Sequence, residues 1–263
     1  MTASADPESR WIERGAGEPL LLLHGLLGDM YQWEASLEAL AAECRPMALN
    51  LPIFAPGLEP SIAALSRHIT RFLDALDIGR VVLGGNSLGG HVALHVALTY
   101  PERVGGLILT GSSGLFGRGI AGRIPYRPSS EYVRARMEEM FHDAALITPA
   151  RVEAVRRLVT ERATARRVLR FAKATRRDNL EARLGDIRVP TLVVWGEEDR
   201  ITPLDVGQRL HALIADSQFW VLTNCGHAPM LEQPHAFSAI VREWLRETWP
   251  RRAQLLTAAE AAR

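Results

Sequence analysis

Short apolar runs recur along the chain, and most are followed by a segment with the spacing of an amphipathic helix. Residues 19–23 are apolar at every position, which is typical of a strand that a parallel sheet buries on both faces. Residues 10–14 mix apolar and charged side chains, and they predict a short edge strand. We predict the further strands at residues 46–50, 80–84, 104–109, 190–195 and 218–222.

Helical periodicity fills the gaps between these strands. In residues 33–43, the side chains of Trp33, Leu37 and Leu40 fall on one face of a predicted helix. Alternation of strand and helix predicts an α/β fold, with a mostly parallel sheet and helices on both of its faces. The other helices of this core are predicted at residues 62–76, 87–99, 203–214 and 234–247.

Residues 115–184 interrupt the alternation, because the strand pattern disappears there. The segment holds sixteen Lys or Arg residues against eight Asp or Glu residues. Most of its arginines are expected on a solvated face, and one or two are candidates for contacting a carboxylate of the substrate. We predict a helical cap inserted into an α/β core made of residues 1–114 and 185–263. Its helices are predicted at residues 130–142, 149–162 and 164–177.

Composition and charge limit the expected partners. Apolar residues make up 47% of the 263 residues, enough to build one large α/β domain with a buried core. A net charge of +1 gives no reason to expect nucleic acid or an anionic membrane as a partner. No apolar run approaches the roughly 18 residues of a membrane helix, and no apolar secretion signal follows Met1. We therefore expect a cytoplasmic monomer or homodimer with a small-molecule substrate.

The segment from Gly85 to Gly89 links a predicted strand to a predicted helix with the sequence Gly-Asn-Ser-Leu-Gly. The glycines leave room for the backbone to turn from strand to helix within a few residues. In such a turn the serine hydroxyl is exposed, and the helix N-terminus presents N–H groups to a forming anion. Ser87 is therefore the predicted nucleophile.

A serine hydroxyl needs a neighbouring base, and the base needs a group that orients it. His227 is the predicted base among eight histidines, because its loop of small residues follows the last predicted strand. That loop lies at the same carboxyl edge of the sheet as Ser87. Asp199 follows the preceding strand at this edge and is the predicted carboxylate. The glutamates before it, Glu197 and Glu198, are expected to face solvent.

Backbone amides complete the predicted site. The turn after the first buried strand can direct the Leu26 amide toward the space above Ser87, and Leu88 follows the nucleophile directly. Two such donors would bind the negative oxygen that forms when a carbonyl is attacked. His24 in the same turn is expected to be a structural hydrogen-bonding residue.

Two other features are interpreted as structural. His91 and His95 have the four-residue spacing of a zinc pair on a helix, yet no third ligand lies near them in sequence. Cys44 and Cys225 are expected to be reduced, and Cys225 is expected to be a small buried residue. We therefore predict no metal and no cofactor.

Taken together, four segments resemble the α/β-hydrolase superfamily over nearly the whole chain: residues 24–28, 85–90, 195–203 and 226–234. The resemblance implies the α/β-hydrolase fold and acyl transfer by a triad in the chain order Ser87, Asp199, His227. It also implies an oxyanion hole made by Leu26 and Leu88. Epoxide hydrolases and haloalkane dehalogenases of this fold normally carry Asp where Ser87 stands, so they are disfavoured.

The reaction itself has three candidate interpretations. A carboxylesterase acting on a small or medium ester is the main one, because ester hydrolysis requires no group beyond a triad under an apolar cap. Asn86 and the arginine-rich cap also resemble the meta-cleavage-product hydrolases, which cleave a carbon–carbon bond of a vinylogous diketone. Those enzymes commonly carry tryptophan directly after the catalytic histidine, where this chain has Ala228. A hydrolase-fold binding protein without catalysis is the remote third, since it usually lacks a triad member.

Overall fold

The computed structural model of the protein describes residues 10–115 and 128–261, with side chains described as far as residue 248. Within these residues one sheet holds seven strands. Each strand predicted from the apolar runs is present, with bounds shifted by at most two residues at either end. The strands are β1 (Arg10–Glu13), β2 (Pro19–Leu23), β3 (Arg45–Asn50), β4 (Val81–Asn86), β5 (Val104–Thr110), β6 (Thr191–Gly196) and β7 (Ser217–Leu222).

The strand order across the sheet is β1-β3-β2-β4-β5-β6-β7. Only β1 runs antiparallel, against β3 at one edge, which confirms the predicted edge strand. All other neighbouring pairs are parallel. The register pairs Leu23 with Gly85, and Gly85 with Leu109. The loops that follow these central strands therefore meet at one edge of the sheet.

Helices cover both faces of the sheet, as predicted. Leu21 and Leu23 pack into an apolar layer with Leu65 and Val92, while Leu20 and Leu22 pack into a second layer on the opposite face. The split follows from the period of two along a strand. The core helices are α1 (Glu34–Leu40), α2 (Ile62–Ala75), α3 (Leu88–Thr99), α7 (Leu204–Leu213), α8 (Pro229–Glu232) and α9 (Pro234–Ala261).

Three further helices lie between β5 and β6 in the chain: α4 (Ser130–Met140), α5 (Pro149–Thr160) and α6 (Arg162–Arg177). We call them the cap helices. The residue before each helix caps it, because its side chain accepts a hydrogen bond from a backbone N–H of the first turn. These capping residues are Ser129, Thr148 and Glu161 respectively. The domain bounds predicted at residues 115 and 184 stay a prediction, and residues 116–127 lie outside the described part of the chain.

Two helices differ from their predicted lengths by more than two residues. The first is shorter, because α1 begins after a 3-10 turn at Met30–Trp33 and ends at Leu40, three residues before the predicted end. The last is longer, since α9 continues through Pro250. A proline costs a helix one N–H donor and does not forbid its continuation. No helix in residues 10–115 and 128–261 combines the length and apolarity needed to cross a lipid bilayer.

Candidate active site

Ser87 lies in the turn between β4 and α3, and its backbone is in the left-handed region. Its φ is 56° and its ψ is −115°, a conformation that non-glycine residues rarely adopt. Hydrogen bonds hold the strained turn: the Ser87 N–H donates to Thr110 O (3.1 Å), and Ser87 O accepts from the N–H groups of Ser113 and His91 (both 3.1 Å). Neighbouring strand and helix backbones therefore maintain this conformation.

The glycines of the turn are needed for close backbone approach. A Cβ on Gly85 would overlap the backbone of Gly89, and a Cβ on Gly89 would overlap Leu23 O at the end of β2. This confirms the expectation that these positions have no room for side chains. The turn from β4 into α3 is possible only because both are glycine.

His227 and Asp199 form a buried pair at the carboxyl edge. His227 Nδ1 lies 2.8 Å from Asp199 Oδ2, and the two side chains are 3% and 0% exposed. The other carboxylate oxygen, Oδ1, accepts the N–H groups of Ile201 (2.8 Å) and Thr202 (2.9 Å). Because Asp199 is an acceptor, Nδ1 carries the ring proton and Nε2 has a free lone pair. The arrangement suits a base that is oriented by a carboxylate.

Ser87 and His227 are held by shared neighbours. Asn86 Nδ2 donates to His227 O (2.9 Å) and to Thr110 O (3.1 Å). Gly111 packs against the imidazole, since a Cβ there would lie 2.8 Å from His227 Nδ1. In the described part of the chain, the Ser87 hydroxyl and the imidazole make no hydrogen bond. Such bonds commonly tighten only when substrate is bound, and the triad as a whole stays a prediction.

The predicted oxyanion donors are the amide of Leu88, which follows Ser87 directly, and the amide of Leu26, which follows a glycine packed near Ser87. Gly25 packs on the turn that carries Ser87, because a Cβ there would lie 3.3 Å from Asn86 Oδ1 and 3.4 Å from Ser87 Cβ. Leu26 follows it directly. Among the residues that the structure describes, the Leu26 and Leu88 amides have no hydrogen-bond acceptor. Both N–H groups are therefore free to bind an anion, and their role stays a prediction.

His24 has the structural role expected of it. Its Nε2 accepts the Leu51 N–H (2.8 Å), so Nδ1 carries the proton and donates to Gly25 O (2.7 Å). Burial lowers the pKa of His24 below its ordinary value. The neutral ring thereby joins the turn after β2 to the loop after β3.

Thr202 is a residue of the site that the sequence analysis missed. Its Oγ1 lies 2.9 Å from Asp199 Oδ2, 3.0 Å from Gly111 O and 3.2 Å from His227 Nδ1. A signal was present in the spacing, since an Asp side chain often binds N–H groups two and three residues ahead. Such a turn brings the hydroxyl at the third position back to the carboxylate.

One expectation for the neighbouring glutamates is wrong. Glu197 is exposed, but Glu198 turns inward, and its Oε2 accepts the Cys225 N–H (2.8 Å). The reason is that the loop before His227 brings an unpaired N–H within reach of that carboxylate. Burial raises the pKa of the Cys225 thiol, which argues against a rival nucleophile.

One histidine of the pair on α3 contacts a carboxylate of the cap segment. His91 Nε2 lies 3.2 Å from Asp178 Oδ2, and this contact lowers the pKa of the Asp178 carboxyl. Within residues 10–115 and 128–261, no group of three or more His, Cys, Asp or Glu side chains is placed to hold a metal ion.

Comparison with known proteins identifies the family. The model of the alpha/beta hydrolase family matches residues 20–240 of this chain. The protein belongs to the α/β-hydrolase family. This α/β-hydrolase is 34% identical, over 260 residues and 89% of each chain, to a 2-hydroxy-6-oxononadienedioate/2-hydroxy-6-oxononatrienedioate hydrolase from Cupriavidus pinatubonensis.

Solved structures of similar hydrolases have the same fold. A meta-cleavage product hydrolase from Pseudomonas fluorescens IP01 superposes with a TM-score of 0.79 at 26% identity, covering 91% of this chain and 94% of that one. A thermophilic esterase from Thermogutta terrifontis superposes with a TM-score of 0.75 at 27% identity, covering 91% and 93%. These superpositions show that the chain has the α/β-hydrolase fold.

Proposed function

We propose that this α/β-hydrolase cleaves a carbon–carbon bond in an acidic vinylogous diketone, the kind of compound named a meta-cleavage product. The observation that carries the proposal is the 34% identity, over 89% of both chains, to a hydrolase of 2-hydroxy-6-oxononadienedioate. Such a compound contains a ketone, an enol and carboxylates, but no ester or amide. Hydrolysis of it must therefore break a carbon–carbon bond.

The chemistry requires a carbon leaving group that can accept electrons. When the enol at carbon 2 becomes a ketone, carbon 5 is connected through a carbon–carbon double bond to the new carbonyl at carbon 2. Attack on the carbon 6 ketone then releases carbon 5 as a stabilised dienolate. The acyl half remains on the nucleophile until water hydrolyses it. A hydroxyl nucleophile, a base and an oxyanion site supply these steps.

We assign the steps to the residues at the carboxyl edge. Ser87 attacks the ketone, and His227 accepts its proton. Asp199 keeps the imidazole in the tautomer whose Nε2 faces the reaction. The Leu26 and Leu88 amides stabilise the oxyanion. The 2.8 Å contact between Asp199 and His227, and the strained backbone of Ser87, support this assignment.

Arg167 on cap helix α6 is a candidate for binding the substrate carboxylate. Its Nε donates to Ile53 O (2.6 Å) and its Nη2 to Leu58 O (3.1 Å), so its partners are neutral carbonyls. Burial and the nearby Arg170 lower the pKa of Arg167 from its ordinary value, although the guanidinium stays charged. A half-buried cation paired with neutral oxygens favours an anionic ligand.

Replacing this arginine tests the idea with two substrates. Arg167→Gln is expected to raise KM for a carboxylate-bearing diketone by about tenfold or more, which is the value of one charge-assisted hydrogen bond. The KM for a neutral p-nitrophenyl ester should change by less than about twofold. Arg170→Gln, at an exposed position on the same helix, is the matched control. Equal changes in KM for both substrates would count against a role in recognising the carboxylate.

The carboxylesterase interpretation is the second candidate. It was the main expectation from the sequence, and the comparisons support it less well than the carbon–carbon reaction. It is favoured by Ala228, where meta-cleavage-product hydrolases commonly have tryptophan, and by the similarity to the esterase from Thermogutta terrifontis.

Parallel assays decide between the candidates. Purified protein is given a yellow ring-fission product of catechol cleavage and, separately, a panel of p-nitrophenyl esters of increasing acyl length. The proposal predicts loss of the yellow dienolate colour with a kcat/KM at least about a hundredfold above that for any ester. Efficient ester hydrolysis with no cleavage of the diketone would refute it. Fluorophosphonate labelling that is lost in Ser87→Ala would exclude the non-catalytic interpretation.

A further inference from the structure

The carboxylate of Glu232 joins two distant parts of the chain. It lies at the end of α8, five residues after His227. Its Oε1 accepts the N–H groups of Gly226 (2.9 Å) and Ala228 (3.4 Å), which flank the predicted base. Its Oε2 accepts the N–H groups of His142 (2.8 Å) and Asp143 (3.1 Å), which follow cap helix α4.

A direct backbone contact strengthens the same junction. The His227 N–H donates to Met140 O, the last carbonyl of α4, at 2.7 Å. Gly226 permits this approach, since a Cβ there would lie 2.5 Å from Met140 O and 2.9 Å from His142 N. The backbone N–H groups of three consecutive residues, 226 to 228, are thus bound either by the end of α4 or by Glu232.

The charge of Glu232 matters because four N–H donors converge on it. An ionised carboxylate has acceptor sites on both oxygens, whereas a glutamine amide offers one oxygen and directs N–H groups at the other donors. Hydrogen bonds to a charged acceptor are also the stronger kind. Neutralising Glu232 therefore removes the acceptor for one of the two segments and weakens the other.

We propose that Glu232 is a positioning residue that couples the position of cap helix α4 to the orientation of His227. The proposal rests on the triad of the proposed function. When the end of α4 is seated on Glu232, the loop of residues 226–228 is held with the imidazole against Asp199. When α4 moves away, the loop loses its contact with Met140 as well, and the imidazole is no longer held in its position against Asp199.

Glu232→Gln tests the coupling with two measurements that need no substrate. Hydrogen–deuterium exchange should increase together in the peptides that contain residues 142–143 and 226–228. The second-order rate of Ser87 labelling by a fluorophosphonate should fall at least about tenfold, because a displacement of about 1 Å in a catalytic group can cost a hundredfold. For any substrate that the wild-type protein turns over, kcat should fall with little change in KM.

Matched variants separate coupling from a general loss of structure. Glu138→Gln makes the same chemical change at an exposed position of α4 and should leave both measurements unchanged. Glu198→Gln weakens the bond to the Cys225 N–H only, so it should leave exchange at residues 142–143 unchanged. Glu232→Asp is one methylene shorter and cannot bridge both segments, so it should also label slowly. If the glutamine variant does not fold, Glu232→Asp is used for the test in its place.

Two results would overturn the coupling. One is labelling of Glu232→Gln, or of folded Glu232→Asp, at the wild-type rate. The other is increased exchange in one segment while the other stays protected. Failure of the proposed function is a separate outcome, because wild-type protein would then not cleave the diketone while its labelling and exchange could still be compared with the variants.

Discussion

Replacing Thr202 with valine tests whether the hydroxyl at the Asp199–His227 pair contributes to catalysis. Valine has nearly the shape of threonine, so the change removes the hydroxyl and leaves the packing. Thr202 is only 7% exposed, and its Oγ1 lies 2.9 Å from Asp199 Oδ2 and 3.0 Å from Gly111 O. The lost group therefore has no easy replacement by water.

The magnitude follows from the contacts. A hydrogen bond to a charged group contributes about 1.5–3 kcal/mol. If the bond to Asp199 is needed while the imidazolium forms, kcat/KM should fall about ten- to a hundredfold. A hydroxyl has one proton, so Thr202 donates to either Asp199 Oδ2 or Gly111 O at any moment. Loss of that one donor should also lower the free energy of unfolding by about 1 kcal/mol, a decrease in Tm of about 2–4 °C for a chain of this size.

The assay separates positioning from stability. Fluorophosphonate labelling and ester or diketone turnover are measured between pH 5 and 9, at temperatures well below Tm. The value of kcat/KM is expected to fall across this pH range in Thr202→Val and to be restored in Thr202→Ser, which keeps the hydroxyl. A valine variant with reduced Tm but wild-type kcat/KM would refute the reasoning. So would a serine variant as slow as the valine variant.

Two further predictions concern the same edge of the sheet. Gly111→Ala places a Cβ 2.8 Å from His227 Nδ1 on a backbone with φ +51°, so labelling of Ser87 should slow by about a hundredfold or more; labelling at the wild-type rate would contradict this. Burial lowers the pKa of His24 below 6.5, so its contribution to stability is full above pH 6.5 and is lost as the pH falls from there. His24→Asn should therefore lose less free energy of unfolding between pH 7.5 and 5.5 than the wild-type protein does, as measured by urea denaturation; equal losses would count against the assignment.

The sequence alone was sufficient to predict the architecture, because that information is local. The unbroken apolar run of β2 indicates a strand covered on both faces, and helical spacing places Leu37 and Leu40 toward the sheet. The glycines around Ser87 indicate a tight turn whatever the rest of the fold is. Each of these features depends on residues that lie close to one another in the sequence.

The sequence predicted that these loops share the carboxyl edge of the sheet, but it did not predict which hydrogen bonds join them. Parallel strands place Ser87, Asp199 and His227 at one edge, and the structure joins the last two at 2.8 Å. The solvent-facing role expected of Glu198 is wrong, because the partner of its carboxylate, the Cys225 N–H, is 27 residues away in the chain. Sequence spacing carries no signal for such a bond.

Only the tertiary structure could show how the cap helices contact the loop of His227. Glu232 binds amides 89 and 90 residues earlier in the chain, and Thr202 reaches His227 across 25 residues. Strand and helix patterns are set by short-range backbone geometry and burial. Hydrogen bonds between loops depend instead on sheet register and on where the cap helices pack, and these are decided by the whole chain at once.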